Sequence, residues 1–293
     1  MTIFIAILGA VIGSFLSVCI FRIPLLPSVG LTKEDFEELG ESDRLNFFNQ
    51  EKGMTINSPS RSLCPKCKNQ LLWWHNIPII SWVALKGRCF FCKAKISARY
   101  PFVEALTALG AVCSYQYYGS TLTALVIFIF IATMIVISFI DYDLYIIPNV
   151  ISYPGTLLGI AITLANSYWP TLDHPFLTDI LDSLLGILAG AGFLYIVALS
   201  YKIIRKQDGL GMGDVKLLAL VGALFGPEAA LFTIFAGSLI GSVAGLAILL
   251  LFRKGLSHPL PFGPYLAAGA ILYLFVGAQS SIPLFPPIFH SFS

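Results

Sequence analysis

The sequence predicts an all-α polytopic membrane protein, with about eight transmembrane helices and a cytoplasmic four-cysteine zinc-binding segment after the first. Three observations carry that prediction. Mean hydropathy is +0.82 and only 12% of residues are charged, where soluble domains carry roughly a quarter. Apolar blocks long enough to cross a bilayer recur from Pro101 onward. Of the 18 Lys and Arg, 12 fall between Arg22 and Arg99, in the one long polar stretch.

Residues 1–21 read as a retained first helix. They have no basic leading region and no small-x-small cleavage site before Cys19. Residues 22–100 read as a cytoplasmic zinc-binding domain. Its first half, LTKEDFEELGESDRLNFFNQEKG, has acidic helical character, and its second half holds four of the six cysteines. The apolar block 101–140 would reach about 60 Å as a helix, twice a ~30 Å hydrocarbon core. It therefore reads as two helices joined at Tyr118-Gly119-Ser120. Residues 150–168 and 180–201 each make one span. Residues 213–252, broken at Gly226-Pro227, make two, and 262–280 the last, followed by a tail at 281–293. No internal repeat and no low-complexity tract is read.

Threaded eight times from an external N-terminus, the chain has inner joints at 22–100, 141–149, 202–212 and 253–261. Every Lys and Arg lies in one of these except Lys216, just inside the sixth span, and the outer joint 169–179 has none. Positive residues mark the cytoplasmic side, so the long polar segment is expected inside the cell.

Cys64-Pro-Lys-Cys67 and Cys89-Phe-Phe-Cys92 form a CxxC…CxxC pair. Two thiolates three residues apart grip one Zn²⁺ from a tight turn, and two such knuckles complete a tetrahedral site. Two disulfides are the alternative, disfavoured in a reducing compartment. Such zinc holds a small domain together. His75, between the two pairs, reads as a surface or interfacial residue.

Asp141 and Asp143, in SFIDYDLYIIPN, end the third span, and Asp214, in GLGMGDVKLLAL, opens the sixth. Both places are inner-face span ends, so carboxylates from distant segments can meet. An ionised Asp at the bilayer centre costs roughly 2.5–3.5 kcal/mol, so intramembrane acids usually face a polar site. Two close carboxylates cannot both ionise readily. One keeps a proton while the other activates water. The competing readings are an N-cap for Asp214, solvated span ends for Asp141 and Asp143, and a snorkelling role for Lys216. The four His make no HExxH, and GxSxG and Walker motifs are absent. Gly237 and Gly241, in AGSLIGSVAG, read as close helix packing. A proton-coupled transporter and a non-catalytic assembly factor are the other function classes. No nucleic-acid partner is expected.

The segments GSFLSVCIFRIP (13–24), CPKC…CFFC, ISARYPFVEALT (96–107), IDYDLYIIPN (140–149), GLGMGDVKLLALVGALFG (209–226) and PLPFGPYLAAG (259–269) occur in order. Together they resemble the bacterial prepilin leader peptidases along nearly the whole chain. The resemblance implies an aspartic endopeptidase of the inner (cytoplasmic) membrane, with a seven-helix peptidase domain at 101–280. It implies removal of the basic leader from prepilins or type II secretion pseudopilins, after a glycine and before a phenylalanine. N-methylation of the new N-terminus, from S-adenosylmethionine, is implied as well. The family's catalytic positions map to Asp141 and Asp214, with Asp143 in reserve, and its zinc cysteines to Cys64, Cys67, Cys89 and Cys92. One departure bears on the methyltransferase: LLPSVGLTKEDFEELGESD follows Pro24 where many members carry an acidic-aromatic MERxW-like segment.

Overall fold

A computed structural model describes residues 1–41, 44, 62–64, 66–172, 176, 179–206, 211–252 and 260–276. The rest of the acidic stretch, Arg253, Lys254, His174, His258, His290 and the tail 281–293 lie outside the described residues. The chain divides into two compact units, Met1–Leu144 and Tyr145–Ser293. Helices dominate, and no strand occurs among the described residues, only two isolated bridges.

The first unit contains α1 (Thr2–Arg22), α2 (Lys33–Glu38), α3 (Ile80–Ala84), α4 (Arg99–Tyr118) and α5 (Leu122–Leu144). Helix α2 opens with a capping box: Thr32 Oγ1 accepts from the Asp35 N–H, and Asp35 accepts from the Thr32 N–H at 2.6 Å. Helices α1 and α4 run antiparallel with their backbones nearly touching. A Cβ added at Gly9 would lie 2.8 Å from Ala108 Cα, and one at Gly13 would lie 2.7 Å from Glu104 Cα. Gly9-x-x-x-Gly13 is thus a small-residue helix seam of the kind membranes favour, a role the sequence reading assigned only to Gly237 and Gly241. The joint expected at Tyr118-Gly119-Ser120 is where α4 stops, on a Gly119 with φ of 73° that only glycine adopts readily.

The second unit contains α6 (Asn149–Tyr168), α7 (Ile180–Ile187), a π turn (Leu188–Gly192), α8 (Phe193–Arg205), α9 (Met212–Phe252) and α10 (Gly263–Phe275). Helix α9 is interrupted at Gly226, φ 83° and ψ −173°, directly before Pro227. The break falls at the expected joint. Proline has no N–H to donate four residues back, which orphans the carbonyl of Ala223. Two neighbours repair this: Thr163 Oγ1 on α6 donates to that oxygen at 3.2 Å, and Ser183 Oγ on α7 at 2.9 Å. Beside them, Gly186 lies backbone to backbone against Gly222. The second half of α9 packs on α10, with Gly237 against Leu266, Gly241 against Tyr265, and Gly269 against the Thr233 carbonyl. That bears out the close-packing role read for AGSLIGSVAG.

Five helical segments are long and apolar enough to cross a membrane: Thr2–Leu25, Leu122–Leu144, Asn149–Tyr168, Ile180–Arg205 and Met212–Leu251, the last containing the Gly226 break. Helix α4 falls outside that group, and α10 is a shorter apolar helix of 13 residues. The chain is therefore a multi-pass membrane protein.

Candidate functional site

The four expected cysteines meet. Cys64, Cys67, Cys89 and Cys92 place their Sγ atoms within 4.8 Å of one another, and Cys64 and Cys92 approach to 3.9 Å. A tetrahedron with ~2.3 Å Zn–S bonds has S···S edges of about 3.8 Å, so the donor set and its dimensions fit zinc. All six cysteines are free thiols, so the disulfide alternative is not adopted.

Each knuckle is built the same way. The Lys68 N–H bonds to the Cys64 carbonyl at 2.8 Å, and the Cys64 N–H to that of Asn69 at 3.1 Å. In the second knuckle Lys93 bonds to Cys89 at 3.1 Å and Cys89 to Ala94 at 2.8 Å. Lys68 and Lys93 both take a left-handed φ of 59°, and the bridges Leu63↔Gln70 and Arg88↔Lys95 close the two turns. This is a repeat in the fold where the sequence shows no convincing one. The thiols are not equivalent. Burial pushes Cys64 up to about 12. Burial also acts to raise Cys89, but the N–H groups of Cys92 and Phe91 and the thiols of Cys64 and Cys92 outweigh it and bring it down to about 7. A cation bound here would replace those thiol protons.

His75 is not part of the cysteine cluster, nor is it at the surface. It is buried against Trp74, Phe90 and Phe91, with ring centroids at 3.8, 5.1 and 5.9 Å. Its Nδ1 accepts from the Leu72 N–H at 3.2 Å, and burial favours its neutral form. The imidazole supports the knuckles as an aromatic filler.

Asp141 is buried near the end of α5 in the first unit, and Asp214 is buried in the first turn of α9 in the second. Asp214 stands in the first turn of the helix, three residues after Gly211, and not at the cap position itself. Its carboxylate sits at the positive end of the helix dipole. Gly213 before it admits no side chain, because a Cβ there would lie 2.9 Å from the Cβ of Ile147.

Asp143 has another occupation. Arg99 Nη1 donates to its Oδ1 at 2.7 Å and to its Oδ2 at 2.6 Å, and Arg44 Nη2 donates to Oδ2 at 2.8 Å. Arg44 also binds the Ile20 carbonyl at 3.2 Å and pairs with Glu41 at 3.0 Å. Arg99 Nη2 binds the Phe139 carbonyl at 3.0 Å and stacks on that ring. Both oxygens of Asp143 are taken, and residues two apart on a helix do not share a face. Asp143 therefore ties polar-segment and helix residues together and turns away from Asp141. Of its partners, Arg99 lies in a segment already singled out, ISARYPFVEALT, while Arg44 carries no local signal.

Lys216 is not merely snorkelling. Its Nζ donates to Asn149 Oδ1 at 2.6 Å and sits 5.2 Å above the Tyr153 ring, joining the starts of α6 and α9.

Comparison with known proteins places this arrangement. The Bacterial Peptidase A24 N-terminal domain matches residues 7–118, and the Type IV leader peptidase family matches residues 128–246. The chain belongs to the type IV leader peptidase family. Similar proteins include the prepilin leader peptidase/N-methyltransferase of Burkholderia pseudomallei (strain 1026b), 32% identical over 94% of this chain and 85% of the relative. Those of Pseudomonas putida and Pseudomonas aeruginosa are 33% and 34% identical, over 92% and 93% of this chain and 88% and 89% of theirs. No solved structure gives a significant match.

Proposed function

We propose that this chain removes the leader peptide from type IV prepilins or type II secretion pseudopilins at the cytoplasmic membrane face, using Asp141 and Asp214, and then N-methylates the new terminus. Family membership and the names of the relatives support the substrate class and both activities. Burial of two carboxylates at the ends of apolar helices supports the chemistry, and the engagement of Asp143 by two arginines favours Asp141 for the first role.

In this reading the two carboxylates share one proton across a water. The ionised member takes a proton from that water as its oxygen attacks the scissile carbonyl. The protonated member donates to the carbonyl oxygen, and collapse of the tetrahedral adduct passes a proton to the departing amine. No covalent enzyme intermediate forms. Cys64, Cys67, Cys89 and Cys92 would hold zinc, which would tie the two knuckles together and would take no part in hydrolysis. Methyl transfer takes S-adenosylmethionine as donor. Eight spans with an external N-terminus put the polar segment 22–100 and both aspartates on the cytoplasmic side of the inner membrane. Residues 101–280 then form the peptidase domain.

Mass spectrometry of a co-expressed prepilin tests the proposal, since it reads cleavage and methylation together. Wild type should yield a shortened, N-methylated product. Asp141→Asn and Asp214→Asn should each leave the precursor intact while the protein stays in the membrane. Normal processing by both single variants would end the two-aspartate mechanism.

A further inference from the structure

The chain between the two knuckles is tied to a transmembrane-length helix by one hydrogen bond, from the Ile79 N–H to Glu104. In the first unit the charged groups define a level: Arg44 bridges the Ile20 carbonyl on α1 and Asp143 on α5, and Arg99 at the start of α4 binds the same carboxylate. Helices α1 and α4 continue from that level into their apolar lengths. Gly13 lies seven residues from Ile20, roughly 10 Å along α1, and Glu104 lies five residues from Arg99, roughly 7.5 Å along α4. Gly13 and Glu104 are the residues in close contact, so the two distances describe one depth.

The buried carboxylate of Glu104 accepts from the Ile79 N–H at 2.7 Å. A helical side chain leans toward its N-terminus, which shortens the excursion without cancelling it. Ile79, held at a left-handed φ of 61°, is thus pinned on the apolar side of the charge level. The run from Ile77 to Leu85 has Ser81 as its one polar side chain besides the Trp82 N–H, which is satisfied by the Ile96 carbonyl at 3.2 Å. Ile80 and Val83 share a face of α3 and are 65% and 62% exposed. These apolar side chains protrude at this depth, and Phe102 of α4 is similarly exposed.

The charges around the loop match those surroundings. No Asp or Glu occurs between Glu51 and Glu104. The cations Lys66, Lys68, Lys86, Arg88, Lys93 and Lys95 are exposed on the knuckles, and Trp73 is 81% exposed beside them. Basic side chains around an aromatic and an aliphatic tip are the recognition chemistry of an anionic bilayer surface.

We infer that residues 77–85 form a re-entrant loop whose Ile80 and Val83 insert into the lipid, while Arg88 and the lysines of the knuckles bind anionic headgroups. The four-cysteine module is thereby a membrane-docked platform and not a free cytoplasmic domain. The inference rests on α1 and α4 crossing the bilayer and is independent of the peptidase chemistry.

The test uses the full chain, loaded with zinc, in nanodiscs of phosphatidylcholine and phosphatidylglycerol. A nitroxide is attached through p-acetylphenylalanine at Ile80, Val83, Gln70 or Leu109. Collision with oxygen reports lipid, and collision with a nickel chelate reports water. Labels at Ile80 and Val83 should resemble the α4 control Leu109, with the oxygen-to-nickel ratio inverted relative to the exposed knuckle position Gln70. Replacing phosphatidylglycerol by phosphatidylcholine should shift both loop labels toward the Gln70 ratio. A Gln70-like ratio at Ile80 and Val83 with lipid-like behaviour at Leu109 overturns the inference. So does exclusion of both reagents, which would mean that protein covers the loop. An aqueous reading at Leu109 overturns it through its premise, and an unchanged depth without anionic lipid overturns the headgroup contact.

Discussion

Asp141 and Asp143 are two residues apart, yet substitution by Asn should damage different properties. Asp143 and Arg44 have side chains only 7% and 3% exposed. Removing one partner of a buried ion pair costs about 3–5 kcal/mol, mostly for the charge left behind. Arg99, 30% exposed at its side chain, contributes on the scale of a screened surface pair, about 1 kcal/mol or less. Asn keeps the shape and one acceptor oxygen, and Arg44 keeps Glu41. The loss for Asp143→Asn should therefore lie near the low end, about 3 kcal/mol, or roughly 150-fold in the folded-to-unfolded ratio. Asp141→Asn carries no such burden from Arg44 and Arg99. The assay compares heat-induced aggregation of each variant in detergent with its processing of a prepilin per folded molecule. Asp143→Asn should melt earlier but still cleave, and Asp141→Asn should melt near wild type and not cleave. A variant pair in which Asp143→Asn melts normally and is inactive, while Asp141→Asn processes prepilin, would refute the assignment.

Other outcomes follow from contacts described above. Gly13→Val forces a side chain into the Glu104 backbone, so it should cost at least the ~1–3 kcal/mol typical of overpacking, read as loss of the detergent-solubilised monomer peak. Cys64→Ser should abolish binding of one zinc per chain and expose the segment between the knuckles to limited proteolysis, while prepilin cleavage persists. Loss of cleavage in that variant would give the metal a role in hydrolysis. Lys216→Met keeps the aliphatic stem but loses the exposed bond to Asn149, worth about 1.5 kcal/mol, the low end for a charged donor. Amide exchange at residues 149–153 should accelerate by up to about tenfold, and unchanged exchange would mean that the bond is not formed in the membrane.

Much of this architecture was legible because its determinants are local. Gly119 and Gly226-Pro227 end helices through backbone geometry that acts within a few residues, and paired cysteines three apart announce a metal turn by spacing alone. Burial of Asp141 and Asp214 was readable from acids at the ends of apolar runs. What escaped depends on long-range pairing. Nothing near Arg44 marks it as the partner of a residue on α5. The run NIPIISWVALKG carries no signal of its depth, because the Glu104 side chain that fixes it belongs to another helix. The repeat was hidden because only the two cysteines and the following lysine persist between LCPKCKNQ and RCFFCKAK, while the shared left-handed turn is a property of the backbone. His75 looked superficial because the rings that bury it come largely from the second knuckle.

The carbonyl of Ala223 accepts both the Thr163 and the Ser183 hydroxyls, and a carbonyl has only two lone pairs to offer. That single atom therefore works as a pin through three helices, with no capacity left for a fourth. Asp214 lies nine residues upstream on the same helix, so the pin sets both the height and the azimuth of its carboxylate. Inserting one residue between them would swing the acid by about 100° around the helix axis while leaving the pin undisturbed. The spacing from Asp214 to the orphaned oxygen is thus a ruler built into the chain, and the proline four residues beyond Ala223 is what calibrates it.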